Sequence, residues 1–305
     1  MSFLFILMSN HWTIIANPVS GRGRARRTGE RVADLLHERG VYVDLMMSGA
    51  PGDCERLARE ALARGVRQVA ACGGDGTVHE VVNGLTNSDA VLGIVPCGRG
   101  NDLVRALGLS SDVEDVVNTL VHGVDRAIDL GKVGDRFFAT VASLGFDTAV
   151  AQRMRTQGTG FLTRALKVGG TVSYGLTVLR TLVGYRSPIV RLRGDFGVFE
   201  GRILLAATAN APFYGSGVKI APDAMVDDGV LDVCIVADVS RWTVLRMFLR
   251  AYSGAHVGHS AVRVVQTRTL QIESDDPLWI FADGEPMCEI PAKIEVVPGA
   301  LKVKV

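Results

Sequence analysis

The sequence predicts an α/β protein of two domains, an N-terminal domain on a parallel sheet and a C-terminal β-rich sandwich domain. At 305 residues the chain is long enough to form two cores. Its first third alternates short apolar runs with stretches of helical periodicity, as in a parallel sheet. From about residue 126 onward, apolar runs follow one another between turn signals, as in a sandwich. We place the boundary between residues 124 and 134, and assign residues 1–128 and 129–305 to the two domains.

Four strands and three helices are predicted in the N-terminal domain. The strands are 13–16, 41–47, 69–72 and 92–95, and the helices between them are 24–39, 53–64 and 77–85. In the first helix, Val32, Leu35 and Leu36 have the spacing of one helical face. Strands connected in this way run parallel, and ligands of such sheets bind beyond the carboxyl ends of the strands.

Three loops with unusual compositions follow predicted strands at that edge. They are 17–21 (Asn-Pro-Val-Ser-Gly), 73–77 (Gly-Gly-Asp-Gly-Thr) and 96–102 (Pro-Cys-Gly-Arg-Gly-Asn-Asp). The glycines of the second loop let backbone N–H groups approach a phosphate at the positive end of a helix. A plain tight turn is the alternative. Because a bare carboxylate repels a phosphate, Asp75 implies a bound cation, and the loop favours a nucleoside triphosphate with Mg²⁺.

The C-terminal domain is predicted to consist mainly of short strands. The first two, 127–133 and 136–143, flank Gly134-Asp135, which is a hairpin signal. The later strands are 189–193, 201–210, 230–236, 262–266, 269–273, 278–282 and 293–297. Two helical stretches, 161–183 and 240–253, interrupt them. Each could be an amphipathic helix that faces lipid, or a helix that covers the sheet with its charges in water.

Composition excludes several classes of protein. A formal net charge of +1 gives no overall field for nucleic acid, so no nucleic-acid partner is expected. The five cysteines lack metal-ligand spacing and fit buried thiols in a reducing cytoplasm. The apolar start, residues 1–8, is shorter than the roughly 20 residues that span a bilayer. We expect a cytoplasmic protein, attached at most peripherally to the inner face of the membrane.

The first predicted helix is strongly basic. Its arginines are Arg22, Arg24, Arg26, Arg27 and Arg31. They could support a second anion site at the loop 17–21, form a solvated face behind a Ser20 N-cap, or attract anionic lipid headgroups. Only the backbone at Ser20 and Gly21 is taken as a candidate for anion binding.

The chain lacks a P-loop of the Gly-x4-Gly-Lys-Ser/Thr type, a protein-kinase catalytic loop and a complete dinucleotide fingerprint. Other motifs occur in order along nearly its whole length. They are Asn-Pro-x-Ser-Gly at 17–21, Gly-Gly-Asp-Gly-Thr at 73–77, Glu-x-x-Asn-Gly at 80–84, Gly-x-x-Asn-Asp at 98–102, and the segments 143–147, 210–215, 221–224, 227–232 and 283–286. This set resembles the diacylglycerol kinase catalytic-domain family, which includes bacterial lipid kinases and the sphingosine and ceramide kinases.

The resemblance implies a Rossmann-like, phosphofructokinase-like N-terminal domain that binds ATP. The implied nucleotide contacts are Asn17, Pro18, Val19, Ser20, Gly21, Ser48, Gly73, Gly74, Asp75, Gly76, Thr77, Val78, His79 and Arg99. Ser48 and Arg99 stand where relatives often carry threonine. Arg99 could contact a phosphate directly or crowd the pocket.

The resemblance also implies the catalytic groups. Asp75, Asp102 and Asp129 resemble an acidic network around the catalytic Mg²⁺, and Glu285 matches the proton acceptor. The implied ligands of a structural Mg²⁺ are the carbonyls of Met225 and Val230 and the carboxylate of Asp228. Without the resemblance, Asp283-Gly284 would be interpreted only as a hairpin turn. With it, Asp283 becomes a turn former or a helper of Glu285. Thr140 replaces an asparagine that relatives often have.

The leading hypothesis is an ATP- and Mg²⁺-dependent lipid kinase that phosphorylates diacylglycerol at a membrane surface and could form a homodimer. One alternative is an NAD kinase, whose superfamily shares the Gly-Gly-Asp-Gly loop. The other is a non-catalytic nucleotide- or lipid-binding regulatory protein. The sequence does not distinguish glycerolipids from sphingoid or isoprenoid acceptors.

Overall fold

The computed structural model describes residues 11–157, 177–178 and 180–305. A parallel sheet with the strand order β2-β1-β3-β4 forms the N-terminal region. Its elements are β1 (His11–Ala16), α1 (Ser20–Glu38), β2 (Tyr42–Met47), α2 (Asp53–Ala63), β3 (Gln68–Gly73), α3 (Asp75–Leu85) and β4 (Val91–Pro96). The predicted order of strands and helices is therefore confirmed, with ends that differ by a few residues.

Helices cover both faces of the parallel sheet. On one face α2 and α3 bury Leu57 and Val81 against the strands. On the other face α1 and a later helix, α5 (Val113–His122), bury Leu36 and Val117 around Trp12. A short helix, α4 (Asp102–Ala106), precedes α5. The sequence does not predict α4, because a helix of five residues is too short to show helical periodicity.

The C-terminal region is a β-sandwich, which confirms the predicted fold class. Its elements are β5 (Asp125–Val133), β6 (Arg136–Phe138), β7 (Val141–Gly145), α6 (Phe146–Gln157), β8 (Ile189–Gly194), β9 (Gly197–Ala209), β10 (Phe213–Tyr214), β11 (Val218–Lys219), β12 (Leu231–Ala237), α7 (Arg241–Ala251), β13 (Val262–Thr267), β14 (Thr269–Glu273), β15 (Trp279–Ala282), β16 (Glu285–Glu289) and β17 (Ala292–Lys304). The first half of β9 pairs with β8, and its second half pairs with β7 and β12. β9 thus belongs to both layers, which bury Phe138, Ile203 and Ile235 between them.

The prediction of one continuous strand over 136–143 is wrong, because this segment belongs to two strands, β6 and β7. β6 forms the expected hairpin with β5, whereas β7 pairs with β9 and β15. At the break, the N–H groups of Ala139 and Thr140 donate to the carboxylate of Asp283 instead of to a neighbouring strand. A distant aspartate therefore ends the strand.

The helix predicted over 161–183 lies mostly outside the described residues. Of its positions, 177–178 and 180–183 are helical. Val178 and Leu182 pack with α6 and α7 in an apolar cluster of the C-terminal region. The helix predicted over 240–253 is confirmed as α7. No helix in the described ranges combines the length and hydropathy needed to cross a membrane.

β17 connects the two regions. Its first part pairs with β14 and β5, and its last part pairs in parallel with β4 while still pairing with β5. The parallel sheet is therefore extended by a strand from the far end of the sequence. The parallel sheet and the sandwich thus share one continuous strand.

Candidate active site

The three loops 17–21, 73–77 and 96–102 lie side by side at the carboxyl edge of the parallel sheet, as the sequence predicts. The N–H of Asn17 donates to the carbonyl of Cys72 at 3.0 Å, and the N–H of Cys97 donates to the carbonyl of Gly73 at 2.7 Å. A Cβ on Gly98 would lie 2.7 Å from the Cα of Gly74, and one on Gly100 would collide with the Asp75 carboxylate. Glycine is therefore required where the loops meet.

The loop 17–21 leads into a left-handed turn before the regular part of α1. Gly21, Arg22 and Gly23 have φ angles of 61°, 61° and 87°. The Ser20 hydroxyl lies 3.5 Å from that of Thr77, and no side-chain cap is found at the start of α1. Ser20 thus faces the glycine loop, which argues against the N-cap interpretation.

Gly21→Ala is expected to displace this turn and raise the KM for the nucleotide about tenfold or more. A Cβ at position 21 would overlap the carbonyl oxygen of Cys97 and would also take a positive φ, which costs an L-residue about 1–2 kcal/mol. Gly23→Ala is the matched control, since it has a positive φ but no atom within 4 Å of the added Cβ. Nucleotide titration of both variants checks this, and equal effects would show that backbone strain alone is responsible.

Arg99 lies in an open cleft beside this turn. Gly21, Arg22 and Arg24 line the same cleft, and Arg24 Nε donates to the Gly21 carbonyl at 3.1 Å. Three guanidinium groups next to the first loop favour an anion there. This position suits a direct phosphate contact by Arg99, one of the two roles that the sequence left open.

Asp75 and Asp102 form a relay of carboxylates that bind backbone N–H groups. Asp75 accepts from the N–H groups of Asn101 at 3.0 Å and Asp102 at 2.7 Å. Asp102 in turn accepts from those of Ser216 at 3.0 Å and Gly217 at 2.8 Å. Burial, followed by the charge of Asp75, raises the pKa of Asp102, and these two N–H groups oppose the rise. The relay ties the glycine loop to the C-terminal region.

Asp129 is buried at a different place from Asp75 and Asp102. It accepts from the N–H groups of Gly229 at 2.7 Å and Gly299 at 2.8 Å, and it does not line the cavity that Asp75 and Asp102 share. Its visible contacts fix the loop that carries Asp228. Its role near the catalytic metal stays a prediction.

The loop from Met225 to Val230 fits a structural cation. Asp228 Oδ1 accepts from the N–H of Val230 at 3.2 Å. Nearby, Asp232 Oδ2 is buried without a hydrogen-bond partner among the described residues. Burial, followed by the charge of Asp228, raises the pKa of Asp232. A cation held by Asp228 and the carbonyls of Met225 and Val230 would offset the repulsion between the Asp228 and Asp232 carboxylates. The described ranges contain no group of three His, Cys, Asp or Glu side chains that could hold a metal.

The hairpin between β15 and β16 carries Asp283 and Glu285, and places them differently. Asp283 and Gly284 form its turn, with φ angles of 50° and 86°. The Asp283 carboxylate accepts from the N–H groups of Ala139 and Thr140, each at 2.9 Å, and from the Thr140 hydroxyl at 2.5 Å. It also contacts His79 Nδ1 at 3.1 Å. Asp283 is therefore a buried anchor and turn former.

Glu285 faces the glycine loop instead. A Cβ on Gly76 would lie 3.8 Å from Oε1 of Glu285. The other oxygen pairs with Arg155 Nη1 at 2.9 Å, and the Glu285 side chain is 45% exposed. The sequence does not predict Arg155 as a site residue, because α6 itself is not predicted. Glu285 and the glycine loop, which are far apart in the sequence, thus lie together.

Two neighbouring cavities share part of their walls, and the first of them adjoins this hairpin. The first, of about 360 Å³, is lined by Asp75, Asp102, Thr140, Asp147, Asp283 and Gly284, among others. The second, of about 130 Å³, is mostly apolar, with Leu182, Leu204, Val244 and Phe248 in its wall. The residues that line both cavities are Asp147, Val150, Tyr214 and Gly215.

Asp147 is a further candidate site residue that the sequence did not single out, although it ends the motif 143–147. Burial raises its pKa.

The fold and this cleft define a phosphotransferase, with a glycine-rich phosphate loop and a facing carboxylate. Residues 11–133 match the model of the diacylglycerol kinase catalytic domain. Residues 140–305 match that of the YegS C-terminal NAD kinase beta sandwich-like domain. The chain belongs to the diacylglycerol kinase catalytic-domain family.

Curated relatives match almost the whole chain. A diacylglycerol kinase of Mycobacterium tuberculosis is 34% identical over 302 residues, which cover 95% of this chain and 94% of the relative. A YegS-like probable lipid kinase of Xanthomonas euvesicatoria is 31% identical over 306 residues, covering 96% of each. A crystal structure of a diacylglycerol kinase from Bacillus anthracis covers 97% of this chain and 96% of its own, with a TM-score of 0.78 and 21% identity. The last comparison shows the shared fold alone.

Proposed function

We propose that this protein is an ATP- and Mg²⁺-dependent lipid kinase that phosphorylates the primary hydroxyl of diacylglycerol and forms phosphatidic acid. The observation that carries the proposal is the position of Glu285 against Gly76, next to a carboxylate-lined cavity that shares part of its wall with a mostly apolar one. The names of the relatives from Mycobacterium tuberculosis and Bacillus subtilis support this acceptor. A lipid acceptor further implies that the protein works at the inner face of the membrane.

The donor phosphates would lie against the backbone of the glycine loop. The N-terminus of α3 begins at Asp75, so its free N–H groups and helix dipole point toward an anion there. Mg²⁺, when bound, would neutralise phosphate charge. Asp75 and Asp102 could hold it, since a carboxylate has about four acceptor sites and each uses two on backbone N–H groups.

Glu285 would take the proton of the acceptor hydroxyl. The O–H bond breaks toward the carboxylate, the oxygen attacks the γ-phosphorus, and the bond to the bridging oxygen of ADP breaks. The Arg155 guanidinium pairs with Oε2 of Glu285 at 2.9 Å, while Oε1 is the oxygen near Gly76. Loop 73–77 positions the donor for this attack.

The two alternative functions are that of an NAD kinase and that of a non-catalytic nucleotide-binding protein. An NAD kinase would not need the apolar cavity beneath Phe146 and Leu204. A non-catalytic nucleotide-binding protein would not need Glu285 beside the phosphate loop. Both observations favour a lipid kinase.

A labelled-ATP assay across acceptor classes tests the proposal. The panel contains diacylglycerol, sphingosine, ceramide, an isoprenoid alcohol and NAD, each with and without Mg²⁺. We expect label in phosphatidic acid, and only with Mg²⁺. Phosphorylation of NAD without any lipid product would overturn the proposal, and no product at all would favour the regulatory protein. A preparation of Glu285→Gln controls for contaminating kinases.

A further inference from the structure

Helix α7 exposes an unusual amount of apolar surface. Trp242 is 77% exposed, Leu249 73% and Tyr252 49%. These residues share one face, because positions 242, 249 and 252 have spacings of seven and three residues. A tryptophan and a leucine this exposed on one helix mark an interaction surface rather than ordinary surface variation.

Positive charge borders this apolar face. Arg241, Arg246 and Arg250 are exposed, and α7 contains no acidic residue. In the described part of the chain, neither Arg246 nor Arg250 forms a salt bridge. A helix with tryptophan and leucine between arginines fits a surface that is apolar inside and negatively charged outside.

The opposite face of α7 forms a wall of the apolar cavity. Val244 and Met247 are buried there, and Phe248 lines the cavity while remaining 37% exposed. Phe248 therefore lies where this cavity approaches the surface. The same helix separates the cavity from the exposed aromatic and leucine side chains.

We propose that α7 docks on an anionic lipid bilayer. Trp242, Leu249 and Tyr252 enter the boundary between headgroups and acyl chains, and the arginines contact lipid phosphates. The proposal rests on the proposed function in one respect, namely that the bilayer carries the acceptor. Docking would bring Phe248, which lines the apolar cavity and is also exposed, to the bilayer, so that a lipid tail could enter the cavity there without crossing water.

Charge and shape favour a bilayer over a protein partner. Arginines extend their apolar stems along the helix and reach the phosphate level, while the indole ring of tryptophan prefers the interface. Attraction to an anionic surface adds about fivefold in affinity for each arginine near it. The second copy of this chain is the competing occupant, and the experiment distinguishes it.

Vesicle sedimentation without ATP measures docking independently of catalysis. The wild type is expected to bind vesicles rich in phosphatidylglycerol more tightly than vesicles of phosphatidylcholine, with a difference that shrinks at high salt. Trp242→Ala/Leu249→Ser should bind the anionic vesicles about tenfold or more weakly, because it removes most of the inserted apolar area. Arg246→Gln/Arg250→Gln should lose about tenfold or more on anionic vesicles alone.

Control variants change exposed apolar and basic residues elsewhere. Val198, 56% exposed, gives the control Val198→Ser, and the exposed pair on α1 gives Arg26→Gln/Arg27→Gln. Both should bind like the wild type. Wild-type binding by the two α7 variants, or loss confined to the α1 variant, would overturn the proposal. So would a wild-type dimer that the Trp242/Leu249 variant converts to monomer while vesicle binding is unchanged.

A kinetic arm separates this proposal from the proposed function. Trp242 and Leu249 do not line the cavities, so their variant should phosphorylate a dispersed short-chain diacylglycerol at the wild-type rate. Its rate on long-chain diacylglycerol in anionic vesicles should fall about tenfold, in line with the lost binding. Vesicle binding without any kinase activity would leave the docking surface valid and the proposed function wrong. An equal loss on both substrates would overturn a docking role.

Discussion

Replacing Glu285 with glutamine is expected to abolish phosphoryl transfer while leaving ATP binding intact. The amide keeps the size and polarity of the side chain but cannot accept the acceptor's proton. Loss of a positioned general base costs about 10²–10⁴-fold in rate. The Glu285 side chain is 45% exposed and, among the described residues, accepts from no backbone N–H, so the variant should fold normally. Single-turnover transfer and nucleotide titration on the same sample check both statements.

Glu289→Gln is the matched control for this experiment. Glu289 is exposed at the other end of β16 and does not face the glycine loop. Its replacement by glutamine is the same chemical change as Glu285→Gln. It should keep the wild-type rate. Normal turnover by Glu285→Gln would remove Glu285 as the base and would leave Asp147, a carboxylate that lines both cavities, as a candidate.

Asp283→Asn is expected to destabilise the protein by about 3 kcal/mol, because it breaks a buried charged network. The asparagine keeps one oxygen, but its NH₂ group would meet an N–H of Ala139 or Thr140 that now donates to the carboxylate. Urea unfolding measures the change. Asp135→Asn, in the exposed turn between β5 and β6, is the control and should change stability little.

The stabilities of the wild type and of Asp283→Asn are expected to depend differently on pH. Burial alone would raise the pKa of Asp283, but hydrogen bonds from His79 and Thr140 and the charge of His79 hold it below its usual value. The charged form therefore contributes stability above the ordinary aspartate pKa of about 3.9, and this contribution is lost as pH falls through the lowered value. The difference in unfolding free energy between wild type and Asp283→Asn should shrink as the pH falls below about 4. A difference that grows in acid would contradict this account.

The parallel sheet and its loops could be predicted because their signals are local. Apolar runs and helical spacing define β1 to β4, and parallel strands bring their carboxyl ends to one edge. The cluster of loops at 17–21, 73–77 and 96–102 follows from that geometry alone. Family resemblance was needed to connect Glu285 with this edge, because the glycine loop lies more than two hundred residues from it in the sequence.

The functions of the individual aspartates could not be read from the sequence in the same way. Each of Asp75, Asp102, Asp129 and Asp283 accepts backbone N–H groups, and for the last three these include groups from segments about a hundred residues or more away. No local pattern encodes such partners. For the same reason the break between β6 and β7 was not predicted, and the cavities were not either, since they form between several elements.

The connection made by β17 has a consequence for the order in which the chain folds. β4 keeps an unpaired edge until β17 has been synthesised, because β17 follows every other described strand. Exposed edges of this kind promote association with other chains during synthesis, and pairings so distant in sequence form slowly. The phosphate loop therefore reaches its final environment only when the whole chain is present, and an isolated N-terminal half would be prone to aggregate rather than bind nucleotide.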